Sequence, residues 1–304
     1  MAGKSTTESA GSTTTVLDGK LVAAVRRAEL ATRVQSFKAK SGRAPGLAVV
    51  LVGENPASQI YVKNKIKACH EAGIESFHIE LPSSLTQADL HKEIDKLNQR
   101  ADVDGILVQL PLPKGLNETQ ATERILSEKD PDGLTSGNLG LLFAGRTRVA
   151  PCTPFGVMKI LEHFNIAVAG MNAVVIGRSN IVGKPMAQLL LEANATVTIA
   201  HSKTRDLQNL TNAADLVVVA AGRPRFLGRE YFRKGAVVVD VGIHRVPENE
   251  NLVINAKRAT ICGDVRYEEL LGHSAAVTPV PGGVGPMTIQ MLLENTLKLA
   301  ELKL

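Results

Sequence analysis

Short apolar runs rich in valine and isoleucine recur along the chain, most of them bounded by glycine or proline, with helically spaced segments between them. GLAVVLVG (Gly46–Gly53), GILVQL (Gly105–Leu110), AVVIG (Ala173–Gly177), TVTIA (Thr196–Ala200), DLVVVAAG (Asp215–Gly222) and GAVVVDVG (Gly235–Gly242) are short for helices. Most are also too continuously apolar for strands with one wet face. Strands buried on both faces need helices above and below them. The alternation therefore dictates βαβ units in mostly parallel sheets.

The rhythm falls into two sets. Helical spacing runs from Asp18 to a stop at Gly42, and strand 46–53 follows. Next comes a helix capped by Asn55, with Pro56 in its first turn and Gly73 at its end. FHIEL at 77–81, a helix over Thr86–Asn98, strand 105–110 and a helix near 118–128 complete the first set. DPDGLTSGNLGLLFAGR (Asp130–Arg146) is turn-rich and breaks the rhythm, and a new helix starts in PCTPFGVMKILEHF (Pro151–Phe164). The second set begins at Ala173, and a short strand at Ala259–Cys262 is expected to extend its sheet. The closing amphipathic segment, MTIQMLLENTLKLAELKL, is expected to return to the first domain.

The fold class read from this pattern is α/β with two domains, an N-terminal α/β catalytic domain and a Rossmann-like domain. The expected boundaries are 16–149 plus 279–304 for the first and 150–278 for the second. The small polar stretch 1–15 reads as a disordered tail.

A length of 304 residues suits two domains, and 44% apolar with 21% charged residues suits a soluble globular protein. No apolar run approaches the ~18 residues of a membrane span. Cys69, Cys152 and Cys262 are far apart and form no CxxC pair, which points to a reducing, cytoplasmic setting. The seven histidines show no ligand spacing, and no metal is expected. The net charge of +5 is dispersed and accompanied by no tryptophan, so nucleic acid is disfavoured while an acidic small ligand is tolerated.

On the helix of SQIYVKNKIKACHEAG (Ser58–Gly73), Lys63 and Lys67 share a polar face with Asn64, His70 and Glu71. Lys65 falls in the apolar arc beside Tyr61, and Ser58 shares that arc. A desolvated lysine loses basicity and becomes a usable base. The alternative is a packed stem with the amine reaching water.

AVVIGRSNIVGKP (Ala173–Pro185) has the layout of a dinucleotide turn, with Gly177 ending a strand and Gly183 opening a helix. Ser179 replaces the middle glycine, and a plain strand-turn-helix has the same outline. After the next strand, where an NAD site offers a carboxylate to the ribose, the chain has Ala200, His201, Ser202, Lys203 and Thr204. Arg178, Ser202 and Lys203 suit a 2′-phosphate, which predicts NADP; the alternative is a polar helix entry. Gln109 stands where a strand end opens onto a crevice and can both donate and accept. Asp130 and Asp132 occupy a turn, where Asp is also common for local reasons. TPVPGGVGPMT (Thr278–Thr288) holds three prolines and three glycines, fit for a rigid ligand wall or a simple turn.

Taken together, Tyr61 to Lys65, DGILVQLPLP, KDPDG, PCTP, VVIGRSNIVGKP, HSKT and PVPGGVGPMT resemble the bifunctional methylenetetrahydrofolate dehydrogenase/methenyltetrahydrofolate cyclohydrolase family, from about residue 16 to the C-terminus. The resemblance implies that Lys65 is the catalytic lysine, Gln109 its partner, Tyr61 a packing surface for the folate and Asp132 the anchor of the pterin. It implies that Gly177, Arg178, Ser179, Ser202 and Ile243 line the NADP site with Thr288 nearby. By the same comparison Pro281, Gly282 and Gly285 line the cleft and Ser58 lies near the tetrahydrofolate-type substrate. A homodimer is implied by the resemblance alone. Pro131 departs from the family pattern, in which a small aliphatic residue separates the two aspartates. The rival readings are a shikimate-dehydrogenase-like NADP oxidoreductase and a non-catalytic NADP-binding sensor. QLPLP and PVPGGVGP speak against the first, and the apolar-face lysine opposite Gln109 against the second.

Overall fold

The computed structural model describes residues 13–246 and 260–304. Its first unit contains α1 (Gly19–Ser41), β2 (Gly46–Val52), α2 (Pro56–Ala72), β3 (Glu75–Leu81), α3 (Gln87–Gln99), β4 (Gly105–Val108) and α4 (Glu118–Glu123), preceded by a two-residue strand β1 (Thr15–Val16). Asp18 caps α1 by accepting the amides of Lys20 and Leu21, and Gly42 ends the helix in the left-handed region. β3, β2 and β4 form a parallel sheet in that order, and every residue of β2 and β4 is buried.

The second unit follows α5 (Ser136–Phe143) and α6 (Cys152–His163). It comprises β5 (Asn172–Ile176), α7 (Gly183–Glu192), β6 (Thr196–Ala200), α8 (Leu207–Asn212), β7 (Leu216–Val219), β8 (Val237–Asp240), β9 (His244–Val246), β10 (Thr260–Cys262) and β11 (Ala276–Val277). The six-stranded sheet runs β1-β11-β8-β7-β5-β6, all neighbours parallel. In each sheet the first strand of its own set lies between successors that go to opposite sides. This creates a switch point at the carboxyl ends of β2/β4 and of β5/β7, where open α/β sheets bind ligands.

The final helix, α9 (Val284–Glu301), packs against α1, α2 and α6, and so returns to the first unit while closing on the second. One apolar core then runs from Leu30 and Val34 through Leu47 and Val49 to Val157, Met291, Val175 and Val218.

Three expectations need adjustment. DPDGLTSGNLGLLFAGR is not turns alone: α5 forms within it because Thr135 caps Asn138 and Leu142 is fully buried, and these contacts outweigh two helical glycines. β10 does not extend the large sheet but pairs antiparallel with β9 in a separate ribbon, and Ala259 lies outside the described residues. Residues 1–12 of the expected tail are also outside the described residues. Thr14 donates from Oγ1 to Ser274 O at 2.7 Å, and Thr15 and Val16 form β1 on the second unit's sheet. Residues 15–16 therefore lie on the larger sheet before the chain enters the smaller one.

That crossing is tightly built. Leu17 N donates to Val277 O (2.8 Å) and Lys20 N to Gly282 O (3.1 Å), and a Cβ on Gly19 would lie 1.8 Å from Gly283 O. Asn295 of α9 makes the second tie. Its buried amide donates to Pro131 O (2.8 Å) and Ala150 O (2.9 Å), joining the helix to the aspartate turn and to the link between the units. Asn295→Leu leaves Ala150 O unpaired and Pro131 O with only the weak thiol donor of Cys152, and such losses cost ~1–3 kcal/mol each. The variant is expected to lose about 2–4 kcal/mol in urea unfolding followed by far-UV circular dichroism; wild-type stability would show that these bonds contribute nothing net.

Candidate active site

Lys65 projects from the third turn of α2 into the cleft between the units. Its Nζ donates to Gln109 Oε1 at 3.0 Å. Gln109 follows directly on β4, and its Nε2 donates to Leu110 O at 2.6 Å. That second bond fixes the amide orientation and turns the oxygen toward the lysine. Burial lowers the Lys65 pKa from the ordinary lysine value; the nearby Asp132 carboxylate pulls the other way without restoring it. Lys63 and Lys67 are exposed, Lys67 on the wall of the larger cavity of that cleft.

The two turn aspartates have separate roles. Asp130 is buried and accepts from Gly133 N (2.9 Å), Thr135 N (2.8 Å) and Asn138 Nδ2 (3.0 Å), so it shapes the turn. Asp132 is half-buried and faces the cavity. Pro131 between them is held through its carbonyl by Asn295 Nδ2 and Cys152 Sγ, so the departure from the family pattern sits in a fixed turn with Asp132 toward Lys65. Burial first, and Asp132 second, push the Cys152 thiol well above its usual range. It is a protonated packing group rather than a nucleophile.

Lys65, Gln109, Asp132, Cys152, Thr153, Ile181 and Thr288 surround a cavity of about 200 Å³. A larger one of about 780 Å³ opens beside it, lined by Tyr61, Lys65, Ile243, Pro281, Gly282, Gly285 and Thr288 among others. Lys65 and Thr288 belong to both. Tyr61, 46% exposed, stands on the wall of the larger cavity. Thr288 Oγ1 lies 3.0 Å from Thr153 Oγ1, which joins α9 to α6 at the floor. Ser58 lines neither cavity. It is buried, and its Oγ has no hydrogen-bond partner.

Gly177, Arg178, Ser179 and Ser202 lie outside both cavities, at the ends of β5 and β6. A Cβ on Gly177 would lie 2.4 Å from Ala220 O, and one on Gly183 would lie 2.2 Å from Gly177 O, so both positions demand glycine. Ser179 Oγ accepts from Val182 N at 3.1 Å. The amides of residues 178–181 meet no protein acceptor among the described residues. Free amides at a helix entry, with Arg178 and Ser202 exposed next to them, fit a dinucleotide's phosphates.

Periodicity exposed Lys65 but not Thr153, Ile181 or Lys20, which also line the cleft. Each is a single residue at a helix start or in a turn, where no repeating pattern marks it. Among the described residues no helix is long and apolar enough to cross a membrane.

Two family models match the chain. The one described as tetrahydrofolate dehydrogenase/cyclohydrolase, catalytic domain, covers residues 17–132, and the corresponding NAD(P)-binding domain covers 151–304. A curated relative from Bdellovibrio bacteriovorus, named bifunctional protein FolD, is 56% identical over 286 residues, covering 94% of this chain and 96% of the relative. Among solved structures, the bifunctional methylenetetrahydrofolate dehydrogenase/cyclohydrolase from Campylobacter jejuni superposes with a TM-score of 0.89 at 48% identity, covering 96% of this chain and all of the other. The Trypanosoma brucei methylenetetrahydrofolate dehydrogenase-cyclohydrolase, solved with NADP cofactor and inhibitor, gives 0.88 at 38% identity and covers 96% and 98% of the two chains.

Proposed function

The chain belongs to the tetrahydrofolate dehydrogenase/cyclohydrolase family, and from that premise we propose how its cleft carries out two successive reactions on one folate. The protein oxidises 5,10-methylenetetrahydrofolate to 5,10-methenyltetrahydrofolate with NADP, then hydrolyses the product to 10-formyltetrahydrofolate. Membership removes the reason for a shikimate-dehydrogenase-like or non-catalytic reading. The observation that carries the site assignment is the Lys65–Gln109 pair, 3.0 Å apart, in a cavity with Asp132.

In this reading Asp132 accepts hydrogen bonds from the pterin, and Tyr61 lies against the flat part of the folate. Pro281, Gly282 and Gly285 bring backbone close to the ligand, and Ser58 lies behind the wall of the cleft rather than in it. Bound NADP supplies the hydride acceptor. Gly177, Arg178, Ser179 and Ser202 hold its phosphates, with Ile243 and Thr288 toward the folate. Orientation across the cleft accounts for much of the first step. The methylene carbon loses a hydride, leaving a cation shared between N5 and N10.

The second step belongs to Lys65. Next to a cationic substrate, the lowered pKa favours the neutral amine. Held by Gln109, Nζ takes a proton from water as the oxygen bonds to the methenyl carbon. The protonated Nζ then returns its proton to N5 as the carbon–N5 bond breaks, the hydroxyl proton leaves to solvent, and the resulting C=O remains as the formyl group on N10. Net, one water enters and one proton leaves.

We assign residues 17–149 and 279–304 to the folate side, and 150–278 with β1 to the NADP side. We also place the enzyme in the cytoplasm as a homodimer. The edge of β6, unpartnered among the described residues and with Ile199 and neighbouring Leu191 exposed, supports the dimer.

Three results are expected. Lys65→Met abolishes hydrolysis of methenyltetrahydrofolate, while the wild-type rate rises with pH along a limb below the ordinary lysine value as Nζ loses its proton; stopped-flow absorbance measures both, and a wild-type rate in the folded variant sinks the assignment. Arg178→Ala raises KM for NADP roughly tenfold more than for NAD, the effect of losing one charge-assisted phosphate contact; equal losses refute that contact. Sedimentation velocity shows twice the chain mass, and a monomer at micromolar concentration excludes the dimer.

A further inference from the structure

Two carboxylates lie buried side by side at the carboxyl ends of β7 and β8, away from Lys65. Asp264 has no exposed surface. Its Oδ2 accepts from Ala221 N (2.6 Å) and Gly222 N (3.0 Å), and its Oδ1 from Arg223 N (2.8 Å). Oδ1 also lies 2.7 Å from His244 Nε2, which makes Nε2 the protonated nitrogen. Asp240 accepts from Gly242 N (2.9 Å), Asp264 N (3.1 Å) and Val265 N (2.8 Å).

Two glycines pack directly against these carboxylates, and Asp240 also borders the larger cavity. A Cβ on Gly242 would lie 2.5 Å from Asp264 Cγ, and one on Gly263 would lie 1.9 Å from Asp240 Oδ2. The pair thus locks together three loops: 221–223 after β7, 242–244 after β8 and 263–265 after β10. Burial, and the charge of its neighbour to a lesser degree, push the Asp240 carboxyl up to about 7. Buried ionic groups are weak contributors to stability and are better explained by the geometry they impose.

Two of the locked loops border the dinucleotide turn and the larger cavity. Loop 221–223 continues from Ala220, whose carbonyl touches the dinucleotide turn at Gly177. Gly242 and Ile243 line the larger cavity, which contains Lys65. The cofactor's reacting end must reach that cavity to meet the folate.

We propose that Asp264 is a positioning residue for the dehydrogenase step: it fixes loops 221–223 and 242–244 as the wall that holds the nicotinamide end of NADP, with His244 as its side-chain clamp. The proposal rests on the NADP reading above. Asp264 touches no reacting atom, and its influence passes through the backbone.

Two activities in one chain allow a selective test. His244→Ala, His244→Gln and Asp264→Asn are assayed for NADP-dependent oxidation of methylenetetrahydrofolate and, separately, for hydrolysis of supplied methenyltetrahydrofolate without cofactor. His244→Ala is expected to raise KM for NADP roughly three- to tenfold, as part of the lost hydrogen bond to a charged group is transmitted through the backbone, and to leave hydrolysis within about twofold. His244→Gln, which places a donor where Nε2 stood, restores most of the NADP KM. Asp264→Asn shifts KM further the same way, and if it does not fold the His244 pair carries the test. An NADP KM within about twofold of wild type in His244→Ala overturns the proposal. So does a parallel fall of both activities with the melting temperature, the mark of a structural role only. A wild-type enzyme that oxidises nothing with NADP instead removes the underlying reading, whatever the variants do.

Discussion

The burial of α9 is the constraint on which the two halves depend. A helix at a chain end is ordinarily amphipathic, yet this one is buried on nearly every side, which is possible only when elements from two layers enclose it. Its buried polar residues are each matched. Glu294 accepts both arms of Arg26 (2.9 and 2.7 Å), Gln290 donates to Glu294 at 3.2 Å, and Thr296 donates to the carbonyl one turn earlier. Unmatched, such groups would cost more than the apolar contacts return. The start of the same helix carries Thr288 into the cleft, so packing that joins the units also sets the active-site floor.

Chemistry in the cleft follows from a balance rather than from one strong contact. A lysine removed from water becomes a weaker base, and a carboxylate nearby reverses that change. Here Asp132 is close enough to act on Lys65, yet burial prevails. Gln109 is neutral, so it orients the amine without adding a second opposing charge. Replacing that amide by a carboxylate would hold the lysine protonated and remove its use as a base.

The parallel sheets were legible because β2, β4, β7 and β8 are buried on both faces and therefore apolar at every position except Asp240, which ends β8. The helix wheel separated Lys65 from Lys63 and Lys67 for the same reason. β1 and β11 are two residues long and carry no period, and α5 includes glycines that a sequence reader counts as turn signals. Whether β10 joins the large sheet or a ribbon with β9 depends on distant pairing, which local pattern does not encode. The aspartates divide similarly. Asp130 and Asp132 look alike in KDPDG, and only the backbone amides around Asp130 separate a turn-former from a cavity group.

The early crossing from β1 to α1 bears on how this protein can be divided. The link near residue 149 looks like a natural place to cut. A fragment ending there would still carry the edge strand that belongs on the other fragment's sheet, and the second fragment would carry α9, which fills the first one's core. Neither piece is a self-sufficient module. Each holds the part its counterpart lacks, so the architecture favours complementation between co-produced halves over independent use of either one.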